Sequence, residues 1–148
     1  MDVNLGKIRT MTSNVIYEGG LRTVATHVRS SSDFETDAPV DNEGKGERFS
    51  PTDLVGTVLA SCMLTTMAIR AKHMENDLRG IKIDVLKIMV ANPRRIGGLN
   101  LTFHYPENFA PTASQKEELE RIAMTCPVAE SIHPDIKLEV DFNWPELP

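Results

Sequence analysis

Two cysteines, Cys62 and Cys126, are the side chains of this sequence best suited to covalent chemistry. Two thiols that meet in a folded protein can cycle between a reduced pair and a disulfide, and a thiolate attacks electrophilic oxygen or sulfur. The alternative is structural, because free cysteine is among the most buried residue types. Cys62 falls inside an apolar helical segment, where no helix terminus stabilises a thiolate, so its local sequence favours the structural alternative.

Cys126 immediately precedes Pro127, and this junction predicts the start of a short helix that ends near His133-Pro134. Free N–H groups at a helix N-terminus lower the pKa of a thiol. Local sequence therefore predicts Cys126 to be the more acidic of the two thiols, with a structural junction residue as the alternative.

The sequence lacks the residue patterns typical of metal sites, cofactor sites and serine hydrolases. The four histidines have neither HxxxH spacing nor a cysteine at zinc-ligand spacing, so a metal site is not expected. No phosphate-binding loop, dinucleotide fingerprint or serine-hydrolase motif is present, so no bound cofactor is expected either. The histidines are His27, His73, His104 and His133.

Composition predicts one soluble domain over residues 1–148. The net charge is -5, from 16 basic and 21 acidic residues, which disfavours a nucleic-acid surface. Residues 1–11 lack the apolar core of a signal peptide, and polar residues interrupt the longest apolar segment, Leu54–Ile69. We therefore expect a cytoplasmic protein without a membrane partner.

The first third of the chain has the pattern of short strands. Asn14–Glu18 and Leu21–Val28 flank Gly19-Gly20, a hairpin signal, and a third strand is predicted around Ser32–Thr36. The polar segment 37–50 is predicted to be a long loop, which makes it a candidate for function.

A long helix follows this loop. Ser50 has the character of an N-cap, Pro51 suits the first helical position, and Asp53 is favoured in the first turn. The helix is predicted to run to about Met74 and to be the buried central helix, because its apolar residues cover most of its circumference. These residues are Leu54, Val55, Val58, Leu59, Cys62, Met63, Met67 and Ile69.

The second half alternates strands and helices. Ile81–Val90 and Leu99–Tyr105 form a second predicted hairpin, and Ile136–Phe142 a last strand. Between them, a capping box from Ser114 to Glu117 opens a predicted helix that runs to about Thr125. Strands in hairpins with helices segregated between them indicate an α+β fold with antiparallel sheets.

Two segments resemble motifs of the OsmC/Ohr family, named for an osmotically inducible protein and organic hydroperoxide resistance proteins. Residues 50–63 (SPTDLVGTVLASCM) resemble the "P-x-x-L … A-x-C" central-helix motif, and Cys126-Pro127 resembles the second, "C-P" motif. The resemblance implies an OsmC-like fold in an intertwined homodimer with sites at the interface. It also implies reduction of organic hydroperoxides in defence against oxidative or osmotic stress.

The resemblance further implies roles for the two thiols. Cys62 would be the peroxidatic cysteine that forms a sulfenic acid, and Cys126 the resolving cysteine that forms a disulfide with it. An external dithiol would then reduce the disulfide, and an arginine would supply the cation that the position of Cys62 within its helix lacks.

Two arginines resemble the family's thiolate partner. Arg22 follows the glycine pair after the first strand, and Arg48 lies in the loop before the central helix. The glutamate that orients this arginine usually follows the motif proline. That position is Thr52 here, and Asp53 beside it is the candidate replacement.

Two functions remain open from the sequence. The first is a thiol-dependent hydroperoxide reductase that uses Cys62 and Cys126. The second is a non-catalytic stress protein that binds a small apolar molecule near the cysteines. The proposed lining of that pocket is Leu59, Met63, Met67 and Met124.

Overall fold

The computed structural model describes residues 10–146, and its contacts divide the chain into two compact units. The first unit extends to Pro51, and the second runs from Thr52. Each unit is described by itself below. The N-terminal stretch used in the signal-peptide argument lies almost wholly outside the described residues, and the assignment of 1–148 to a single domain stays a prediction.

The first unit contains a three-stranded antiparallel sheet in the order β1-β2-β3. Its strands are β1 (Ser13–Gly19), β2 (Arg22–His27) and β3 (Asp33–Asp37). Gly19 and Gly20 both have positive φ, at 85° and 61°, which explains why this turn uses glycine. The predicted hairpin and third strand are therefore confirmed.

The loop after β3 folds back on its own unit. A short 3-10 turn spans Val40–Asn42, and the Gly46 N–H donates to the Ala38 carbonyl at 3.3 Å. A Cβ on Gly44 would lie 1.6 Å from the Ala38 carbonyl oxygen, so this close backbone approach requires glycine. The loop is therefore a compact structure fixed by backbone contacts.

The sheet of the first unit exposes large apolar side chains. Val15 and Phe34 are 65% and 51% exposed, and both are cross-strand neighbours of Ala25 in the middle strand. Ile16 and Tyr17 are also more than half exposed. Exposed apolar side chains in this number on one small sheet are typical of an interaction surface.

Helix α1 spans Pro51–Arg70, and all of it except Pro51 belongs to the second unit, which also contains the hydrophobic core. Leu59, Met63 and Met67 have no exposed surface, so one face of α1 lies in the core as predicted. The prediction of burial on all sides is wrong for the single chain, because Val58 and Ile69 are 46% and 65% exposed. The helix also ends at Arg70, and a separate 3-10 turn covers Lys72–Met74.

By length and composition, α1 could also cross a membrane, with a mean hydropathy of 1.5 over its best window. This differs from the expectation that no segment comes close to a membrane helix. The criterion is weak evidence, since core helices of soluble proteins satisfy it too.

The remaining elements form a mixed sheet and a second helix. Strands β4 (Lys82–Val90), β5 (Arg95–His104) and β6 (Lys137–Asp141) lie in the order β4-β5-β6, and helix α2 spans Ala113–Met124. β4 and β5 are antiparallel, but β6 pairs parallel to β5 because α2 provides the crossover between them. The predicted α+β class is confirmed. The sheets are antiparallel, as predicted, except for the parallel pair of β5 and β6.

The predicted capping box of α2 is wrong by two residues. The N-cap is Thr112, whose Oγ1 accepts from the Gln115 N–H at 3.2 Å while the Gln115 Oε1 accepts from the Thr112 N–H at 2.9 Å. Ser114 lies inside the first helical turn, where it cannot act as the cap.

This difference gives a test of stability. Thr112→Ala removes the acceptor for the Gln115 N–H, so we expect it to lower the free energy of unfolding by about 1 kcal/mol. Ser114→Ala is the matched control and should change it by less than about 0.5 kcal/mol. Urea unfolding at equal protein concentrations measures both, and the reverse order would contradict the assigned cap.

Candidate thiol site

The second unit brings Cys62 and Cys126 together. Cys62 lies on α1, Cys126 lies two residues beyond the last residue of α2, and the two thiols are close enough for each to shift the pKa of the other. Both are free thiols, with Cys62 partly exposed and Cys126 fully buried. The distant sequence positions thus form one site, in a contact that suits thiol–disulfide chemistry.

Neutral hydrogen-bond donors surround the Cys62 sulfur. Burial raises the pKa of Cys62, but hydrogen bonds from the Val128 N–H, the Cys126 thiol and the Thr66 hydroxyl outweigh it and leave the pKa below its ordinary value. The Thr66 Oγ1 lies 3.9 Å from the Cys62 Sγ, one helical turn further along α1. None of these three donors is charged, so the activation within this unit does not use an ion pair.

The surroundings of Cys126 overturn the prediction that it is the more acidic thiol. Residues 127–132 form hydrogen-bonded turns instead of the predicted helix, and Cys126 follows the carbonyl end of α2. A helix C-terminus disfavours negative charge. Burial raises the pKa of Cys126, and the neighbouring Cys62 adds to this effect, although the Ala129 N–H donates to the Cys126 sulfur at 3.5 Å.

The two thiols therefore have opposite character. The pKa of the partly exposed Cys62 is lowered, whereas burial raises the pKa of Cys126. This arrangement places a nucleophile beside a thiol that can supply a proton and a second sulfur.

Arg22, in the first unit, is clamped by carboxylates. Its Nε and Nη2 donate to the two Asp37 carboxylate oxygens at 2.7 and 2.8 Å, and Nη2 also donates to Glu47 at 3.0 Å. The Glu47 N–H donates to the same Asp37 side chain. The bond to Asp37 raises the pKa of Arg22 and lowers that of Asp37. Within the first unit, Asp37 and Glu47 therefore hold Arg22, and the role expected of Asp53 stays a prediction.

Arg48 has a different partner in the same unit. Its Nε donates to the Glu35 carboxylate at 2.8 Å, and both side chains are well exposed. Exposed pairs of this kind contribute little to stability.

Asp53 forms an ion pair at the start of α1. Its Oδ1 lies 2.8 Å from the Lys87 Nζ, which also donates to the Thr52 hydroxyl at 2.9 Å. Lys87 is only 16% exposed. The Asp53 carboxylate and the Thr52 hydroxyl therefore share a lysine of β4.

Sequence reasoning missed three residues of these networks, Thr66, Asp37 and Lys87. Thr66 could have been found, because it lies four positions after Cys62 on a predicted helix. Lys87 could also have been found, because it falls on the same phase of β4 as Ile83 and Val85. Asp37 carried no local signal, since its contact with Arg22 joins separate strands.

The apolar pocket expected around the cysteines is not open. Leu59, Met63 and Met67 have no exposed surface and belong to the core, while Met124 is 40% exposed. This set of side chains cannot line a binding site without a rearrangement of the core.

The fold that places Cys62 on its long helix and Cys126 after its second helix can be compared with known families. The chain belongs to the OsmC-like protein family, which matches residues 44–141. A solved structure from Psychrobacter arcticus 273-4, whose name refers to osmotic stress induction and a detoxification response, has 47% sequence identity and a TM-score of 0.86. The match covers 93% of this chain and 98% of that one.

More distant structures share the fold. The organic hydroperoxide resistance protein OsmC of Legionella pneumophila has 17% identity and a TM-score of 0.68, over 90% of this chain and 98% of that one. A Vibrio cholerae organic hydroperoxide resistance protein, solved with captopril in one active site, has 16% identity and a TM-score of 0.67, over 93% and 94%. A search of the curated proteins finds no match.

The hydroxyl of Thr66 is open to a direct test. Thr66→Val keeps the side-chain shape but removes the donor, so we expect the pKa of Cys62 to rise. The pH dependence of iodoacetamide alkylation measures this pKa, and the buried Cys126 should contribute little to the reaction. Thr66→Ser should retain the wild-type profile.

Thr65→Val is the matched control, because the Thr65 hydroxyl donates to the Ser61 carbonyl at 3.0 Å and not to the sulfur. Its profile should coincide with that of the wild type. Equal shifts for both valine variants would contradict a specific contribution from Thr66.

Proposed function

We propose that this protein is a cytoplasmic, thiol-dependent reductase of organic hydroperoxides. Family membership, and fold relatives named organic hydroperoxide resistance proteins, support this class of activity. The observation that carries the proposal is the pair of neighbouring free thiols, in which Cys62 is partly exposed and has a lowered pKa while Cys126 is buried and has a raised one.

The reaction has three balanced steps. The Cys62 thiolate attacks the terminal peroxide oxygen, the O–O bond breaks, and the leaving alkoxide takes a proton, which gives an alcohol and a Cys62 sulfenic acid. The Cys126 thiol then attacks the sulfenic sulfur and releases water as the disulfide forms. An external dithiol reduces the disulfide by exchange and is itself oxidised, so no bound cofactor takes part.

The different surroundings of the two thiols support attack by Cys62 first and by Cys126 second. A thiolate is the attacking species in peroxide chemistry, and Cys62 is both the more acidic and the more exposed thiol. The buried Cys126 thiol is close enough to the Cys62 sulfur to lower its pKa, so the second step needs little movement.

We further propose Arg22 as the cation that stabilises the Cys62 thiolate and the developing negative charge. Its guanidinium is held in one orientation by Asp37 and Glu47, which lowers the cost of ordering it during the reaction. Arg48 is the alternative, but its exposed pair with Glu35 constrains it less.

A homodimer is the proposed assembly. The single chain leaves apolar residues exposed on the sheet of the first unit, as with Val15 and Phe34, and on α1, as with Val58 and Ile69. Exposed apolar surface of this kind is typical of a subunit interface.

If the protein is a hydroperoxide reductase, replacing Cys62 and replacing Cys126 should give different results. With cumene hydroperoxide and dithiothreitol, Cys62→Ser should reduce peroxide consumption to the background rate. Cys126→Ser should still react once and leave a sulfenic acid that dimedone traps at Cys62. Equal slow consumption by the wild type and Cys62→Ser would refute the proposal.

The two arginines can be separated by matched substitutions. Arg22→Gln should lower kcat/KM for cumene hydroperoxide about a hundredfold, the cost expected for one lost electrostatic donor. Asp37→Asn should lower it less, because it loosens the guanidinium without removing it. Arg48→Gln is the control and should remain close to the wild type, and a larger loss there than for Arg22→Gln would transfer the role to Arg48.

The dimer can be tested on the sheet of the first unit. Phe34→Asp introduces a charge on the apolar face and should shift sedimentation from dimer towards monomer. Asp33→Asn on the same strand should leave the wild-type dimer intact. A wild-type protein that sediments as a monomer at micromolar concentration would contradict the assembly.

A further inference from the structure

A pocket of about 590 Å³ lies in the second unit, apart from the core side chains that the sequence suggested. This volume falls in the range of small-molecule sites. Most of the lining is apolar, and its aliphatic side chains come from α1, from β5 and from the turn segment before β6. They are Val55, Ile96, Ile132 and Ile136.

Arg95, an exposed residue of β5, is one of the residues that line this pocket. Its Nη1 donates to the Pro93 carbonyl at 3.2 Å, and within the described part of the second unit it forms no ion pair with a carboxylate. A positive charge without a carboxylate partner beside an aliphatic surface favours an amphipathic anion.

His133 adds a second donor to the rim. The Asp135 N–H donates to the His133 Nδ1 at 3.0 Å, so the neutral imidazole carries its proton on Nε2. Asp135 also lines the pocket, but its carboxylate lies 3.8 Å from the His133 ring and makes no ion pair with Arg95. The anionic head is therefore best placed at the Arg95 end of the rim.

We propose that this pocket binds a monocarboxylate with an aliphatic body, with the carboxylate at Arg95 and the chain on the aliphatic lining. A carboxylate accepts well-oriented hydrogen bonds from a guanidinium, while a neutral alcohol of the same length gains only the apolar contact.

The pocket is connected to the thiol site by two elements. Ile132 belongs to the turn segment that also supplies the Val128 N–H to Cys62. Val55 and Cys62 lie on the same face of α1, about 10 Å apart along its axis. An occupant therefore contacts the segment that lowers the pKa of Cys62. The significance of this contact for Cys62 rests on the proposed function, whereas binding of a monocarboxylate in the pocket does not.

Titration calorimetry with octanoate tests the site. The measurement uses Cys62→Ser protein, which lacks the proposed reductase chemistry, so its result is independent of the peroxidase assay. Octanoate should bind saturably, and adding Arg95→Gln should weaken binding about tenfold, the loss expected for a charge-assisted contact. Binding of 1-octanol should be the same with and without Arg95→Gln.

Arg121→Gln, at an exposed position of α2, is the matched control for loss of one positive charge and should leave octanoate binding unchanged. Circular dichroism verifies that each variant is folded. Absence of octanoate binding, including exclusion by a second copy of the chain, would overturn the proposal. Equal weakening by Arg95→Gln and Arg121→Gln would also overturn it.

Discussion

Three neutral groups lower the pKa of Cys62, and they come from two separate parts of the second unit. Thr66 is supplied by the same helix, while Val128 and Cys126 come from the turns after α2. The helix position alone gives a thiolate no stabilisation, so its acidity requires that these turns pack against α1. The core that buries Cys126 is thus also the framework that activates Cys62.

In the first unit, charged groups hold the guanidinium of Arg22, whereas neutral groups act on Cys62 in the second unit. Asp37 accepts hydrogen bonds from two nitrogens of Arg22 and from the Glu47 backbone, so the guanidinium, the end of β3 and the following loop form one network. Because the carboxylate of Asp37 has a lowered pKa, this network is complete at neutral pH. It weakens only as acid protonates Asp37, below the ordinary range of a carboxyl group.

Local patterns predicted the order of strands and helices correctly, because periodicity and turn residues report on neighbours in the chain. They failed where distant packing decides the outcome. Pro127 indicated a helix start, but Cys126 is instead buried at the carbonyl end of α2. Asp37, which holds Arg22 across the sheet, gave no signal in the sequence. The family motifs single out Cys62, whereas the groups that lower its pKa became visible only in the fold.

The order in which the two thiols ionise tests this account most directly. A pH titration of protein labelled with ¹³C at the cysteine Cβ atoms reports each thiolate separately and does not require that the thiol be accessible to a reagent. The account predicts that the Cys62 resonance titrates at lower pH than the Cys126 resonance and below a cysteine in an unfolded peptide. Titration of Cys126 first, or of both thiols at the unfolded-peptide value, would contradict it.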